Sequence, residues 1–241
     1  MKPANRVMLI SNSTQYGRGY LDHVEDEIRD FLGVTKSILF VPYALHDQDR
    51  YTAKAEARFQ QMGYKLSSIH AASDPQLAVR DADSIFIGGG NTFRLLKSLY
   101  NFNLIESIRD RVSSGMPYMG ASAGSNVAGP TIKTTNDMPI VEPPSFSALG
   151  LVSFQINPHY LDSDPNTTHM GETREERLLQ FLEDNDTPIV ALREGSLLRI
   201  ENGEVMLKGF TNGRLFRKGN DPLEVPPGTL LTLECAGPPA L

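Results

Sequence analysis

Short apolar runs alternate along this chain with longer segments of helical period, and that alternation restricts the possible fold more than any other feature. Val7–Ile10, Ser37–Pro42, the weaker Lys65–Ile69 and Ser84–Ile87 read as successive strands. Between them, Tyr20–Leu32 carries Leu21, Val24, Ile28, Phe31 and Leu32 on one helical face, Tyr51–Met62 reads as a second helix, and Asp74-Pro75 opens a short third toward Val79. Helices over Phe93–Tyr100 and Leu104–Ser113 lead to a strand at Pro117–Gly120, and Phe154–Asn157, a helix around Arg174–Leu182 and Ile189–Leu192 continue the pattern. This order predicts an α/β fold, a mainly parallel sheet with helices on both faces.

Beyond residue 195 the pattern changes. Leu197–Ile200 and Val205–Leu207 flank Asn202-Gly203, and Asn212-Gly213 offers a second tight turn, so antiparallel hairpins are expected near the C-terminus. No repeat, low-complexity tract or long Pro/Gly linker divides the chain. The expectation is one domain over 1–241, with 196–241 as a hairpin-rich extension.

Composition excludes several function classes. A formal net charge of -6 repels phosphate backbones, and the absence of Trp leaves no obvious stacking platform, so no nucleic-acid partner is expected. The single cysteine, Cys235, rules out an intrachain disulfide and any thiolate cluster, and no H-E-x-x-H occurs, so neither metal nor cofactor is expected. The opening apolar run is too brief for a signal peptide and no stretch reaches membrane-span length, which predicts a cytoplasmic location and no membrane partner.

Gly120-Ala121-Ser122-Ala123-Gly124 matches G-x-S-x-G in the setting that gives the motif chemical meaning. An apolar strand runs into it, and small residues follow where a helix should begin. A nucleophile held there sits on a strained turn beside the free N–H groups of a helix N-terminus. The same pattern also fits a plain small-residue turn. A serine needs a base, and the base an orienting carboxylate. Of five histidines, His23 falls on an amphipathic helix, His46 and His70 lie near strand ends, and His169 precedes a helix. His159 directly follows the strand-like Phe154–Asn157, where parallel sheets gather functional groups, and is the favoured base. Two carboxylates compete for the third position: Asp137, in a polar loop between serine and histidine, and Glu194, just beyond the strand Ile189–Leu192. Gly88-Gly89-Gly90 fits a phosphate cradle, an oxyanion hole or a structural turn. With no G-K-[ST] following and no G-x-G-x-x-G, the oxyanion reading is favoured, with Gly89 and Gly90 beside Ala123.

At these residues the chain resembles peptidase E, the aspartyl dipeptidase family. The resemblance runs through Leu9–Thr14, Gly88–Phe93, Gly120–Gly124, Thr134–Val141, Gln155–His159 and Gly171–Glu175, in order, as far as about residue 195. It implies a fold like that of class I glutamine amidotransferases, with serine in place of their cysteine, and hydrolysis of Asp-Xaa dipeptides. Carried over position by position, Ser122 is the nucleophile and His159 the general base. Asp137 and Glu194 both fall on positions proposed for the third member, and Asp137 is placed ahead because its segment is the more distinctive.

An acidic substrate on an acidic protein needs local cations. Arg174 is the first candidate for the aspartyl carboxylate, because Thr173 and Glu176 fit a capping box that would set it in the first turn of a helix. Lys133 is a second cation, and Asn91 and Thr135 are expected to assist orientation. The rival readings are a cyanophycinase-like peptidase for β-linked Asp-Arg and a non-catalytic module that binds a small anion.

Overall fold

The structure, a computed structural model, describes residues 5–233 apart from Thr167 and His169. Cys235 and His169 therefore lie outside the described residues. The strands are β1 (Val7–Ile10), β2 (Ser37–Val41), β3 (Lys65–Ser68), β4 (Ile85–Ile87), β5 (Tyr118–Ala121), β6 (Gln155–Tyr160), β7 (Ile189–Arg193), β8 (Ser196–Glu201), β9 (Glu204–Gly209), β10 (Gly213–Phe216), β11 (Leu223–Val225) and β12 (Leu230–Leu231). The helices are α1 (Glu25–Leu32), α2 (Gln48–Gln61), α3 (Pro75–Asp81), α4 (Thr92–Asn101), α5 (Leu104–Ser113), α6 (Ala123–Asn126) and α7 (Arg174–Asp184).

Eight strands form a sheet in the order β12-β9-β8-β1-β5-β4-β2-β3. The five from β1 to β3 run parallel, and β8, β9 and β12 extend the β1 edge antiparallel. Strand β1 is buried on both faces, as its unbroken apolar run demands. Val7 and Leu9 join the core beneath α3, α4 and α5, while Met8 and Ile10 face the opposite core under α1 and α2. Asp47, Asp74 and Asn91 each cap a helix by accepting an N–H from the first turn, at 2.9–3.0 Å.

Three expectations need correction. The strands β6 and β7 do not continue the main sheet. They pair with each other in parallel and build a second, four-stranded sheet in the order β11-β10-β7-β6. The open edge of β1 is taken by β8, which follows β7 after a two-residue turn, so that edge has no room for either strand. Asn202-Gly203 makes the expected hairpin between β8 and β9, but Asn212-Gly213 does not make a second one. There the chain crosses from the main sheet to β7 in the second. The first helix starts late as well: Leu21 takes φ 59°, a 3-10 turn spans Asp22–Val24, and α1 begins at Glu25.

The second sheet is covered on its two faces by different partners. Ile156, Val190, Leu192 and Leu215 join the core shared with α3, α4 and α5. Tyr160, Ile189, Ala191 and Phe216 pack with Leu178 and Leu182 of α7. No helix among the described residues is long and apolar enough to cross a membrane.

Candidate active site

Ser122 stands between β5 and α6 with φ 53° and ψ -111°. A non-glycine residue at that φ is strained by the order of 1–3 kcal/mol and persists only where its surroundings hold it. They do so here. Ser122 N–H donates to Ile10 O at 3.0 Å, and its carbonyl accepts from Ser125 N–H and Asn126 N–H at 2.9 and 3.0 Å. The helix expected after the serine is a single turn. Its tight approach to β4 explains the small residues: a Cβ on Gly124 would lie 2.1 Å from Ile87 O. We expect Gly124→Ala to cost about 3 kcal/mol or more, seen as a lower urea midpoint at unchanged m. An unchanged midpoint would mean that the elbow is not clamped from this side.

The turn after β4 lies against Ser122. A Cβ on Gly89 would sit 2.9 Å from Ser122 Cβ. Gly90, at φ 136°, turns the chain back toward Ala44, whose carbonyl accepts Asn91 N–H at 2.9 Å. Among the described residues, Gly89, Gly90 and Ala123 donate their N–H groups to no carbonyl. Gly89 N–H instead approaches the hydroxyl of the buried Tyr51. Gly90 and Ala123 are therefore the less committed of the three donors.

His159 comes from the second sheet. It sits at an irregularity in the β6–β7 pairing, with φ 53°, after Pro158. That bulge, rather than a strand end, turns the ring toward the serine. His159 Nε2 lies 3.0 Å from Ser122 Oγ, and Nδ1 lies 2.8 Å from Glu194 Oε1. With its proton on Nδ1, the ring donates to the carboxylate and accepts from the serine. Asp137, placed first from sequence, makes no hydrogen bond or ion pair with the imidazole. Its Oδ2 accepts from Thr92 N–H at 2.7 Å and from Thr92 Oγ1 at 2.6 Å. The physical reason is the loop that carries it. Thr134 Oγ1 donates to Ile156 O at 2.9 Å and Asn157 Nδ2 donates to Thr134 O at 2.8 Å, so the loop is tied beside β6 and directs Asp137 to the α4 N-terminus.

Two cavities meet at the serine. The larger, about 760 Å³, is lined by His46, Arg50, Tyr51, Lys54 and Gly90 among others. The smaller, about 350 Å³, includes Thr92, Thr135, Arg174 and Glu194. Ser122, His159 and Asp137 line both. Arg174 is the first residue of α7, and Thr173 and Glu176 make the expected reciprocal cap. Partial burial, with Arg177 adding, pulls the Arg174 guanidinium below its ordinary value while Asp137 opposes this, and it stays cationic at physiological pH. No carboxylate among the described residues lies within ion-pair distance of Arg174, Arg50 or Lys54. Thr135 Oγ1 donates to Thr92 Oγ1 at 3.0 Å. Lys133 is exposed and lines neither cavity. Asn91 caps α4 and donates to Met138 O at 2.9 Å, outside both cavities.

Sequence reasoning gave no role to Ser11 and Asn12, which join the two sheets. Ser11 Oγ donates to Leu192 O at 2.8 Å and accepts His159 N–H at 2.9 Å, and Asn12 Oδ1 accepts Gly195 N–H at 2.9 Å. Their signal was two buried polar residues directly after a wholly apolar strand. Arg193 was missed too. It forms a bidentate pair with Asp162, at 2.6 and 2.7 Å, and also pairs with Glu224 at 2.7 Å, fixing the strand end from which Glu194 projects.

A strained serine elbow at the carboxyl end of a parallel sheet, hydrogen-bonded through an imidazole to a carboxylate, is the constellation of a serine hydrolase. The chain matches the model of Peptidase family S51 over residues 7–208. It is 54% identical to "Peptidase E" of Streptomyces coelicolor over 226 residues, covering 94% of this chain and 93% of that protein. It is 45% identical to a Drosophila melanogaster protein named "Probable alpha-aspartyl dipeptidase", over 96% and 98% of the two chains. The crystal structure of a peptidase from an acI-B1 Actinobacterium shares the fold, with a TM-score of 0.70 at 17% identity over 95% of this chain and 97% of the other. The chain belongs to peptidase family S51, and it is a serine-type peptidase.

Proposed function

We propose that this enzyme hydrolyses dipeptides with an N-terminal aspartate, through an acyl-enzyme on Ser122. The observation that carries the reading is Arg174, a guanidinium that lines the smaller cavity beside the serine and has no ion-pair partner among the described residues. The names of the relatives point the same way.

The aspartyl side chain enters the smaller cavity, its carboxylate on Arg174 and the α7 N-terminus. His159 takes the proton of Ser122 as Oγ attacks the aspartyl carbonyl. N–H groups of Gly90 and Ala123, with Gly89 adjoining, face the tetrahedral oxyanion, and each such donor is worth roughly 3–4 kcal/mol in the transition state. The imidazolium, its charge balanced by Glu194, protonates the departing amine. Water activated by the same ring then cleaves the acyl-enzyme. The departing amino acid occupies the larger cavity, where Arg50 and Lys54 suit its free carboxylate.

Those two cations also weigh against the cyanophycinase-like reading, because a departing arginine would bring a third positive charge among them. A pure anion-binding module leaves the Glu194–His159–Ser122 chain without a use.

The test compares Asp-Leu with Asn-Leu, Glu-Leu and β-linked Asp-Arg. Wild type is expected to prefer Asp-Leu over Asn-Leu, and Arg174→Ala to lower kcat/KM on Asp-Leu by about two orders of magnitude, with most of that preference lost. An Arg174→Ala enzyme that still discriminates Asp-Leu from Asn-Leu as wild type does would remove the arginine from specificity.

A further inference from the structure

We propose that the phenolic hydroxyl of Tyr51 donates a hydrogen bond to the carbonyl oxygen under attack, beside the N–H groups of Gly90 and Ala123. The inference deepens the acyl-enzyme reading and rests on it for Ser122 as the attacking group. It does not depend on which side chain the substrate carries.

Tyr51 is the fourth residue of α2, is 6% exposed, and lines the larger cavity together with Gly89, Gly90 and Ser122. Phe40 meets its ring edge to face, at 5.0 Å between centroids, and Tyr20 packs on it at 6.3 Å. These contacts press the hydroxyl onto the turn after β4. A Cβ on Gly88 would strike the hydroxyl oxygen of Tyr51. Gly89, the next residue, lies so near the elbow that a Cβ on it would stand 3.5 Å from Ser122 Oγ. The phenol thus borders the wall of the cavity where the attack takes place.

Hydrogen-bond accounting gives the hydroxyl its direction. Two donors reach the Tyr51 oxygen, the Tyr20 hydroxyl at 3.4 Å and Gly89 N–H. Lys54 Nζ lies 4.6 Å from the centroid of the Tyr20 ring, and a cation over that face draws charge from the phenol and strengthens Tyr20 as the donor of the pair. With its lone pairs engaged, Tyr51 keeps one proton to give. Among the described residues that proton has no acceptor. Burying a donor in that condition is costly, and phenylalanine would fill the same space without the cost. Burial holds the Tyr51 phenol above its ordinary value, against Tyr20 and Gly89, so the proton is retained at physiological pH. The two incoming hydrogen bonds also polarise the O–H and make it a better donor. The reaction supplies the missing acceptor, an oxygen that gains negative charge as Ser122 Oγ adds to its carbon. The rival acceptor is the free carboxylate of the departing amino acid, for which Arg50 and Lys54 in the same cavity are better suited.

The test compares wild type with Tyr51→Phe, Tyr20→Phe and the double variant on Asp-Leu. Tyr51→Phe is expected to lower kcat by about 10²-fold with KM nearly unchanged. Tyr20→Phe removes a supporting hydrogen bond but leaves the Tyr51 proton, so it should lose only a few-fold, and the double variant little more than Tyr51→Phe alone. The second readout is inhibition by the C1 aldehyde of aspartate. Ser122 Oγ bonds to the aldehyde carbon, the carbonyl electron pair passes to its oxygen and the serine proton to His159, so the adduct carries the oxyanion. Tyr51→Phe should weaken this inhibition by about the factor lost in kcat. Asp-Leu, by contrast, should bind Ser122→Ala equally well with and without Tyr51→Phe. A fall in kcat with undiminished inhibition by the aldehyde would overturn the inference and leave Tyr51 a support for the glycine turn. A loss carried by KM alone would overturn it in favour of the departing carboxylate, and a kcat within about three-fold of wild type would remove Tyr51 from the reaction. Failure of the acyl-enzyme reading shows separately, as turnover by Ser122→Ala. If wild type leaves Asp-Leu uncut, the aspartyl reading fails instead, and the same variants are compared on whichever of Asn-Leu, Glu-Leu and β-linked Asp-Arg it cleaves.

Discussion

Ser122→Ala is expected to lower kcat on Asp-Leu by about 10⁵-fold or more, the scale seen when a serine hydrolase loses the nucleophile of a triad that acts as a unit. The side chain makes no packing contribution that alanine cannot replace, because the strained backbone is held by Ile10 O and by the N–H groups of Ser125 and Asn126. The variant should therefore fold, and alanine tolerates φ 53° about as poorly as serine does. His159→Ala should cost about as much, and the double variant little more than either alone. Steady-state kinetics alone would leave a contaminating peptidase as an explanation for residual turnover. Single-turnover release of leucine at enzyme excess separates the two cases. A Ser122→Ala protein that retains more than about one per cent of wild-type turnover would dismiss the acyl-enzyme mechanism.

The second large effect is expected at Glu194. Replacing the carboxylate by an amide of the same shape removes the acceptor for His159 Nδ1–H and frees the ring to adopt the wrong tautomer. In a fully buried triad this costs about 10⁴-fold in kcat. The Glu194 side chain is 49% exposed and that of His159 39%, so water takes over part of the role and the expected loss is about 10²- to 10³-fold. It should fall on kcat with KM nearly unchanged, since Glu194 orients the base and does not grip the substrate. Asp137→Asn, whose carboxylate accepts from Thr92 N–H and Thr92 Oγ1 and makes no hydrogen bond to the ring, should lose the smaller share of kcat. If Asp137→Asn lost the larger share of kcat and Glu194→Gln little, the carboxylate in contact with the imidazole would not be the one that supports it.

The parallel core and the serine elbow are legible because both are local. Strand β1 announces itself in Val7–Ile10, and the elbow in small residues flanking Ser122 whose Cβ atoms would strike Gly124 O or Ile87 O. The capping box at Thr173 and Glu176 is local too. What sequence does not reveal is decided by edges and closure. Nothing in Gln155–Tyr160 or Ile189–Arg193 says which sheet they join, because their apolar pattern suits either. The competition is settled by β8 taking the edge of β1. Which of Asp137 and Glu194 reaches the imidazole is hidden for the same reason. Asp137 sits in the more distinctive segment, and distinctiveness says nothing of contacts. Glu194 reaches the ring only because β7 pairs with β6 in the second sheet, a long-range arrangement that spacing does not encode.

The division of the site between two sheets has a consequence for when the chain becomes a peptidase. Ser122 is supplied by the main sheet, whereas His159 and Glu194 arrive on the second, and Ser11 and Asn12 fasten the one to the other across more than 140 residues of sequence. During synthesis, a chain that ends before Glu194 already holds the whole elbow yet cannot orient its imidazole. Assembly of the Ser122–His159–Glu194 chain is thus tied to the closing of one sheet against the other.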